Sequence, residues 1–150
     1  MGYKIALFVH VLSIASWFGG LAVMAVWLRK STKLHDAGIS MDQSLKNVHN
    51  LNVRMMVPVA ILSFIAGLYM LIQFGDSKPL YLVIKERFGS LIVLAYVIGF
   101  PIYGGRLFKK LQGETDPAAK VARVKGYINL LNLTLLLLAF IILVVTFKFQ

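Results

Sequence analysis

Four apolar runs, residues 5–28, 53–74, 80–103 and 127–147, take up most of this 150-residue chain and decide what it can fold into. Each has about 20 or more residues, enough at about 1.5 Å of helical rise per residue to cross a hydrocarbon layer of about 30 Å. Inside lipid a backbone must satisfy its own N–H and C=O groups, so all four are predicted to be helices. The fold class is therefore all-α. Residues 1–150 form one integral membrane domain, a four-helix bundle with no internal repeat and no low-complexity segment. Composition agrees, since only 15% of residues are charged, against about 25% in a soluble domain. The first run is expected to stay as a helix. Its end, Trp27-Leu28-Arg29-Lys30, has no small-residue cleavage pattern, and Met1-Gly2 followed by Ala6 lacks a myristoylation signal.

The charges give the orientation. Of 16 Lys and Arg residues, eleven fall between runs one and two or between runs three and four, among them Arg29, Lys33, Arg54, Arg106, Lys120 and Lys125. The other side keeps Lys4, Lys78, Lys85, Arg87 and Lys148. The positive-inside rule then predicts both termini outside and the two longer loops in the cytoplasm, an N-out/C-out multi-pass protein. The net charge of +10 reads as topology and attraction to the lipid bilayer, not as a nucleic-acid surface, so no nucleic acid is expected as partner.

Local signals fill in the connections. Gly75-Asp76-Ser77-Lys78-Pro79 is a tight external turn. Ser40 with Gln43 reads as a capping box, and Met41, Leu45 and Val48 continue as a helical stripe running into the second span. Asp116-Pro117 is an N-cap followed by proline at the first helical position. Gly104-Gly105 ends the third span, while Pro58 and Pro101 are expected to kink their helices.

Ionisable groups inside a span are costly and point to the bundle interior. His10 is the foremost, on one face with Ser13, Ile14, Trp17, Leu21, Met24 and Leu28. It is either hydrogen-bonded to a neighbouring helix or a ligand to a metal or haem iron. His49 cannot share that iron, because about 18 residues of helix, roughly 27 Å, separate their depths. With Asn47, Asn50 and Asn52 it reads as a headgroup-level residue.

Lys85, Glu86 and Arg87 lie at about the depth of His10. Either they snorkel at the interface, or Lys85 and Arg87 clamp carboxylates such as porphyrin propionates. A stripe from Lys85 through Gly89, Ile92, Tyr96, Gly99 and Tyr103 suits a bundle interior. Met70, Gln73 and Thr146 reach the same layer, and Met70 is either packing or a second axial ligand. Asn129 and Asn132, near Asn52, Arg54 and Tyr127 in depth, read as interhelical hydrogen bonds. Ser63, Gly67 and Gly19-Gly20 read as close packing.

Whole function classes find no support. There is no cysteine, hence no disulfide, thiolate metal site or covalently attached haem. There is no phosphate-binding glycine loop and no H-E-x-x-H, and paired intramembrane carboxylates for a proton relay are missing.

The stretch from Leu7 to Lys30, with His10 followed after six residues by Trp17, Phe18 and Gly20, resembles the first helix of two related groups of small bacterial membrane proteins. These are the HemJ-type protoporphyrinogen oxidases of haem biosynthesis and the copper-resistance D (CopD) group. The oxidase family has a lysine early in its third helix, matching Lys85. Its last helix resembles residues 135–148 here, preceded by Arg123 and Asn129. Where that family carries an asparagine–glutamate–proline signature, this chain has Asn129-Leu130-Leu131-Asn132.

The resemblance implies a bacterial inner-membrane protein that binds haem b or handles porphyrin, with oxidoreductase activity as its catalytic form. His10 would be the axial ligand, Lys85 and Arg87 the propionate partners, and Trp17 and Met70 neighbours of the cofactor. Two alternatives stand beside it: a non-catalytic accessory or assembly subunit of a respiratory or other membrane complex, and a copper-handling protein using His10 and Met70. A homo-oligomer fits any of the three.

Overall fold

The computed structural model describes residues 1–73, 75 and 78–147. These are about 91% helical, with no strand among them. Four helices, α1 (Gly2–Lys33), α2 (Met41–Ile72), α3 (Leu80–Gln112) and α4 (Pro117–Phe147), are each long and apolar enough to cross a membrane. Within the most apolar window of each helix no more than 33% of the residues are buried. The outward faces are nevertheless apolar, with Phe8, Ile72, Leu91 and Leu136 each more than 60% exposed. Helices apolar on their outer faces as well as their inner ones suit lipid rather than water.

The helix starts follow from side-chain chemistry. Ser40 Oγ accepts the backbone N–H of Gln43 at 3.2 Å, which caps α2. The Gln43 side chain turns instead to Asn47 Oδ1 at 2.9 Å, so only half of the expected capping box forms. Asp116 caps α4 with both carboxylate oxygens, accepting from the N–H groups of Ala118 and Ala119 at 3.2 and 3.3 Å. Pro117, which has no N–H to satisfy, is the first helical residue. Between α1 and α2 a single 3₁₀ turn at His35–Ala37 ends on Gly38 at φ +89°, a conformation that favours glycine. The predicted external turn falls partly on Asp76 and Ser77, the end of the second run on Phe74, and the end of the 135–148 stretch on Lys148. These lie outside the described residues.

The helices run past the predicted spans. α2 continues without a break from its capped extension into the apolar run, and α3 passes through Gly104-Gly105 to Gln112. The glycine pair therefore does not end the helix. Gly104 is buried there because the rings of His49 and Tyr127 come close to it.

Two helices widen to a π turn, at Asn52–Met56 in α2 and Lys85–Gly89 in α3. The first has a visible cause. Pro58 lacks an N–H, and its ring opposes the carbonyl of Arg54, four residues back, so the chain opens just ahead of it. The second holds the charged triplet.

α1 packs along α2 and α4, while α3 packs along α4 and α2. The shared core holds Trp17, Leu21, Met24 and Leu28 from α1 and Leu45 and Val48 from α2. It also takes Tyr96, Phe100 and Leu111 from α3, and Val124, Tyr127 and Leu131 from α4. The α3 stripe departs from expectation beyond Tyr96. Gly99 and Tyr103 are exposed, and the buried line continues through Phe100, Gly104, Leu107 and Leu111.

Candidate functional site

The first half of α1, the second halves of α2 and α4, and the start of α3 enclose a half-open cleft of about 270 Å³. Its walls are mostly apolar: Leu7, Ile14, Phe64, Leu138 and Ile141. Into this setting come a few polar groups, His10, Ser63, Lys85 and Glu86. An apolar cavity with a few convergent polar side chains is the usual form of a small-molecule site.

His10 is anchored by the helix opposite. Its Nδ1 lies 2.7 Å from the backbone oxygen of Ser63, with the Ser63 hydroxyl at 3.4 Å. A carbonyl oxygen can only accept, so Nδ1 carries the proton and donates it. In the neutral ring Nε2 then keeps its lone pair. Histidines that ligate metals show this arrangement, one nitrogen tied to a carbonyl and the other presented to the metal. Room for the imidazole comes from Gly67, where an added Cβ would stand 3.1 Å from Cε1 and 3.3 Å from Nδ1 of His10. The interhelical hydrogen bond expected of an intraspan histidine is thus present, and it uses one nitrogen of two.

Lys85 lines the same cleft and makes no ion pair among the described residues. The neighbouring carboxylate, Glu86, pairs with Lys78 at 3.2 Å. Arg87 is exposed and does not line the cleft. Two residues along a helix is about half a turn, so α3 cannot aim Lys85 and Arg87 at one point. The two-cation clamp reduces to Lys85. The π turn has a further effect. Its i→i+5 bonding fits an extra residue into the turn, and Tyr81, Lys85, Gly89 and Val93, spaced four apart, all reach the cleft.

Trp17 and Met70 also line the cleft, and both are buried. Trp17 forms part of its floor, with its ring centroid 4.8 Å from that of Tyr96. Its indole N–H has no hydrogen-bond partner among the described residues. Gln73 and Thr146 are exposed, and the Thr146 hydroxyl bonds back to the Ile142 carbonyl at 2.8 Å. The sequence reading brought His10, Trp17, Met70 and Lys85 to one place. It missed Tyr81, Glu86 and the Ser63 carbonyl. The four-residue spacing in α3 was the available signal for Tyr81, whereas a backbone carbonyl leaves no trace in a sequence.

Beyond the Trp17–Tyr96 floor lies a second polar group, closed on itself. The Tyr96 hydroxyl donates to Asn52 Oδ1, and Asn52 Nδ2 donates to the Tyr127 hydroxyl at 3.0 Å. Tyr127 keeps its own proton for His49 Nδ1 at 3.3 Å. Asn52 and Tyr127 are wholly buried. His49 is tied into this internal group at Nδ1 and stays half exposed on its other side. Arg54 and Asn129, predicted at the same depth, are exposed, while Asn132 makes the expected interhelical hydrogen bond, accepting from Arg29 at 2.7 Å.

Among the described residues no three His, Cys, Asp or Glu side chains gather as a metal site would need. A single oriented imidazole suits a metal that brings most of its own ligands, as haem iron does. No family model, no curated protein and no solved structure matches this chain.

Proposed function

We propose that this chain is a multi-pass protein of the bacterial inner membrane, a four-helix bundle with both termini outside, that holds a b-type haem or a related porphyrin in its cleft. The observation that carries the reading is the His10 imidazole, tied at Nδ1 to the Ser63 carbonyl with Nε2 left its lone pair, in the wall of a cleft that also holds Lys85. His10 would hold the iron, fixed in tautomer by the Ser63 carbonyl of α2. Lys85, at the cleft wall and without an ion pair among the described residues, would take a propionate, while the exposed Arg87 has no part in the site. Trp17 and the apolar walls would exclude water. The cleft, at about 270 Å³, is just under the usual size of ligand pockets and half open, so it would hold only part of such a group. When bound, such a group supplies one-electron chemistry.

Three further observations favour this reading over its rivals. An accessory subunit calls for side chains filling the space beside His10, where the cleft is. A copper site calls for more soft or imidazole ligands than His10 and Met70. The match of Lys85 to the early third-helix lysine of the protoporphyrinogen oxidase group points the same way, with a porphyrin oxidoreductase as the catalytic form.

The test is the optical spectrum of the purified protein, expressed with haem supplied. A Soret band is expected, and its absence overturns the reading. Stable co-purification with a respiratory complex and no chromophore would instead establish the accessory role.

A further inference from the structure

A second concavity lies at the other end of the molecule, on the outer surface between α1 and α4. α1 contributes Arg29, Thr32 and Lys33, and α4 contributes Lys125, Asn129 and Asn132. Arg29 and Lys33 are one helical turn apart, as are Lys125 and Asn129, with Asn132 a further three residues on. The two rows therefore face each other across the groove. Arg29 is already oriented, donating to Asn132 Oδ1 at 2.7 Å.

The cations in this groove differ from others on the same helix. Lys120 pairs with Asp42 at 2.9 Å and Arg123 with Glu114 at 3.1 Å. Arg29, Lys33 and Lys125 make no ion pair among the described residues, and no acidic side chain lines the groove. Three like charges around amide and hydroxyl groups repel one another unless an anion sits between them. One turn towards the middle of the helices the surface becomes apolar, with Val26, Leu133 and Leu136 all more than half exposed. A polar anionic head joined to apolar tails satisfies both parts of this surface at once.

We infer that the Arg29–Lys33–Lys125 groove binds the phosphate of an anionic phospholipid, with its acyl chains along α1 and α4. The guanidinium of Arg29 and the two ammonium groups neutralise the phosphate, Asn129 and Thr32 supply further polar contacts, and Val26 and Leu136 meet the chains. The site is independent of the cleft at the other end and stands whether or not that cleft holds haem.

The test is native mass spectrometry of the detergent-purified protein titrated separately with phosphatidylglycerol, phosphatidylcholine and inorganic phosphate. Phosphatidylglycerol is expected to bind at least about tenfold more tightly than phosphatidylcholine. In R29Q/K33Q/K125Q the preference should fall at least about tenfold, while K46Q/K109Q/K110Q, with the same charge removed elsewhere, should keep it. Helix content by circular dichroism shows whether each variant folds. Lys125→Gln alone, which leaves the Arg29–Asn132 bond intact, should still weaken the preference several-fold. Equal binding of the two lipids, equal losses in both triple variants, or free phosphate binding as tightly as the lipid would each overturn the inference.

Discussion

The chain holds two histidines of similar surroundings and opposite chemistry. Each sits on an α-helix against a glycine of a neighbouring helix, His10 on Gly67 and His49 on Gly104. Each uses Nδ1 for an interhelical hydrogen bond. The difference is the partner. The Ser63 carbonyl can only accept, so His10 donates and keeps a lone pair on Nε2. The Tyr127 hydroxyl, already accepting from Asn52, donates to His49, so in the neutral ring the proton of His49 belongs on Nε2. One ring is set up as a ligand beside an open cleft. The other, half exposed, ends a hydrogen-bond chain that runs into the core through Tyr127, Asn52 and Tyr96.

The sharpest way to break that contrast is to remove each ring in turn. His10→Ala should abolish the Soret band of haem-supplied protein while leaving its helix content intact. His49→Ala should leave the band in place and lower thermal stability instead. A band that survives His10→Ala removes the ligand assignment, and one lost equally in both variants would make the two sites equivalent.

The glycines give the next largest difference. A methyl at Gly104 would overlap the His49 ring and stand 3.0 Å from Cε2 of the wholly buried Tyr127. Gly104→Ala should therefore destabilise by about 1–3 kcal/mol, as overpacking does, read as a lower unfolding midpoint in detergent. Gly67→Ala asks His10 to move only a few tenths of an ångström beside a cleft, so its midpoint should barely change. Its effect should appear as a shifted absorption band. Equal destabilisation of the two variants would mean that His10 is packed as tightly as His49.

A smaller effect is expected inside the closed cluster. Tyr127→Phe removes one oxygen and leaves Asn52 Nδ2 and His49 Nδ1 without their shared partner. Interhelical hydrogen bonds in membrane proteins contribute about 0.6 kcal/mol on average and up to about 1.7, so a loss of about 1 kcal/mol should show in the same unfolding measurement. The haem spectrum should not move. A spectral change would show that the cluster and the cleft communicate through Trp17 and Tyr96.

These contrasts also mark what the sequence could reveal. The four helices were legible because length and apolarity suffice for them, and the α1 face from Ser13 through Trp17, Leu21, Met24 and Leu28 because a regular helix keeps its period. The α3 face was legible only as far as Tyr96. Beyond it the buried line steps by four, from Tyr96 to Phe100 to Gly104 around Pro101, so the projected steps to Gly99 and Tyr103 land on the exposed side. The partner of His49 was hidden for a different reason. Next to three asparagines it looks hydrated, but Asn52 faces inward, and the tyrosines that satisfy it come from α3 and α4, 44 and 75 residues away. The cleft brought together His10, Trp17, Met70 and Lys85 as expected, since depth in a membrane can be counted in residues. Direction around the helix cannot be counted so safely, which is how Arg87 came to be grouped with Lys85.

The smallest effect tests that last distinction. If only Lys85 faces the cleft, Lys85→Met should weaken haem retention and Arg87→Met should not, although both remove one positive charge from the same turn of α3. Lys85 is half-buried rather than enclosed, so its pairing with a carboxylate is worth about 0.2–1 kcal/mol. That corresponds to a loss of affinity of up to about fivefold, measurable by titrating haem into apoprotein. Lys85→Arg should recover most of it, because a guanidinium can hold the same carboxylate. An equal loss in Arg87→Met would mean that general positive charge near the cleft, and not the side on which Lys85 stands, governs the binding. The π turn would then have no bearing on the site.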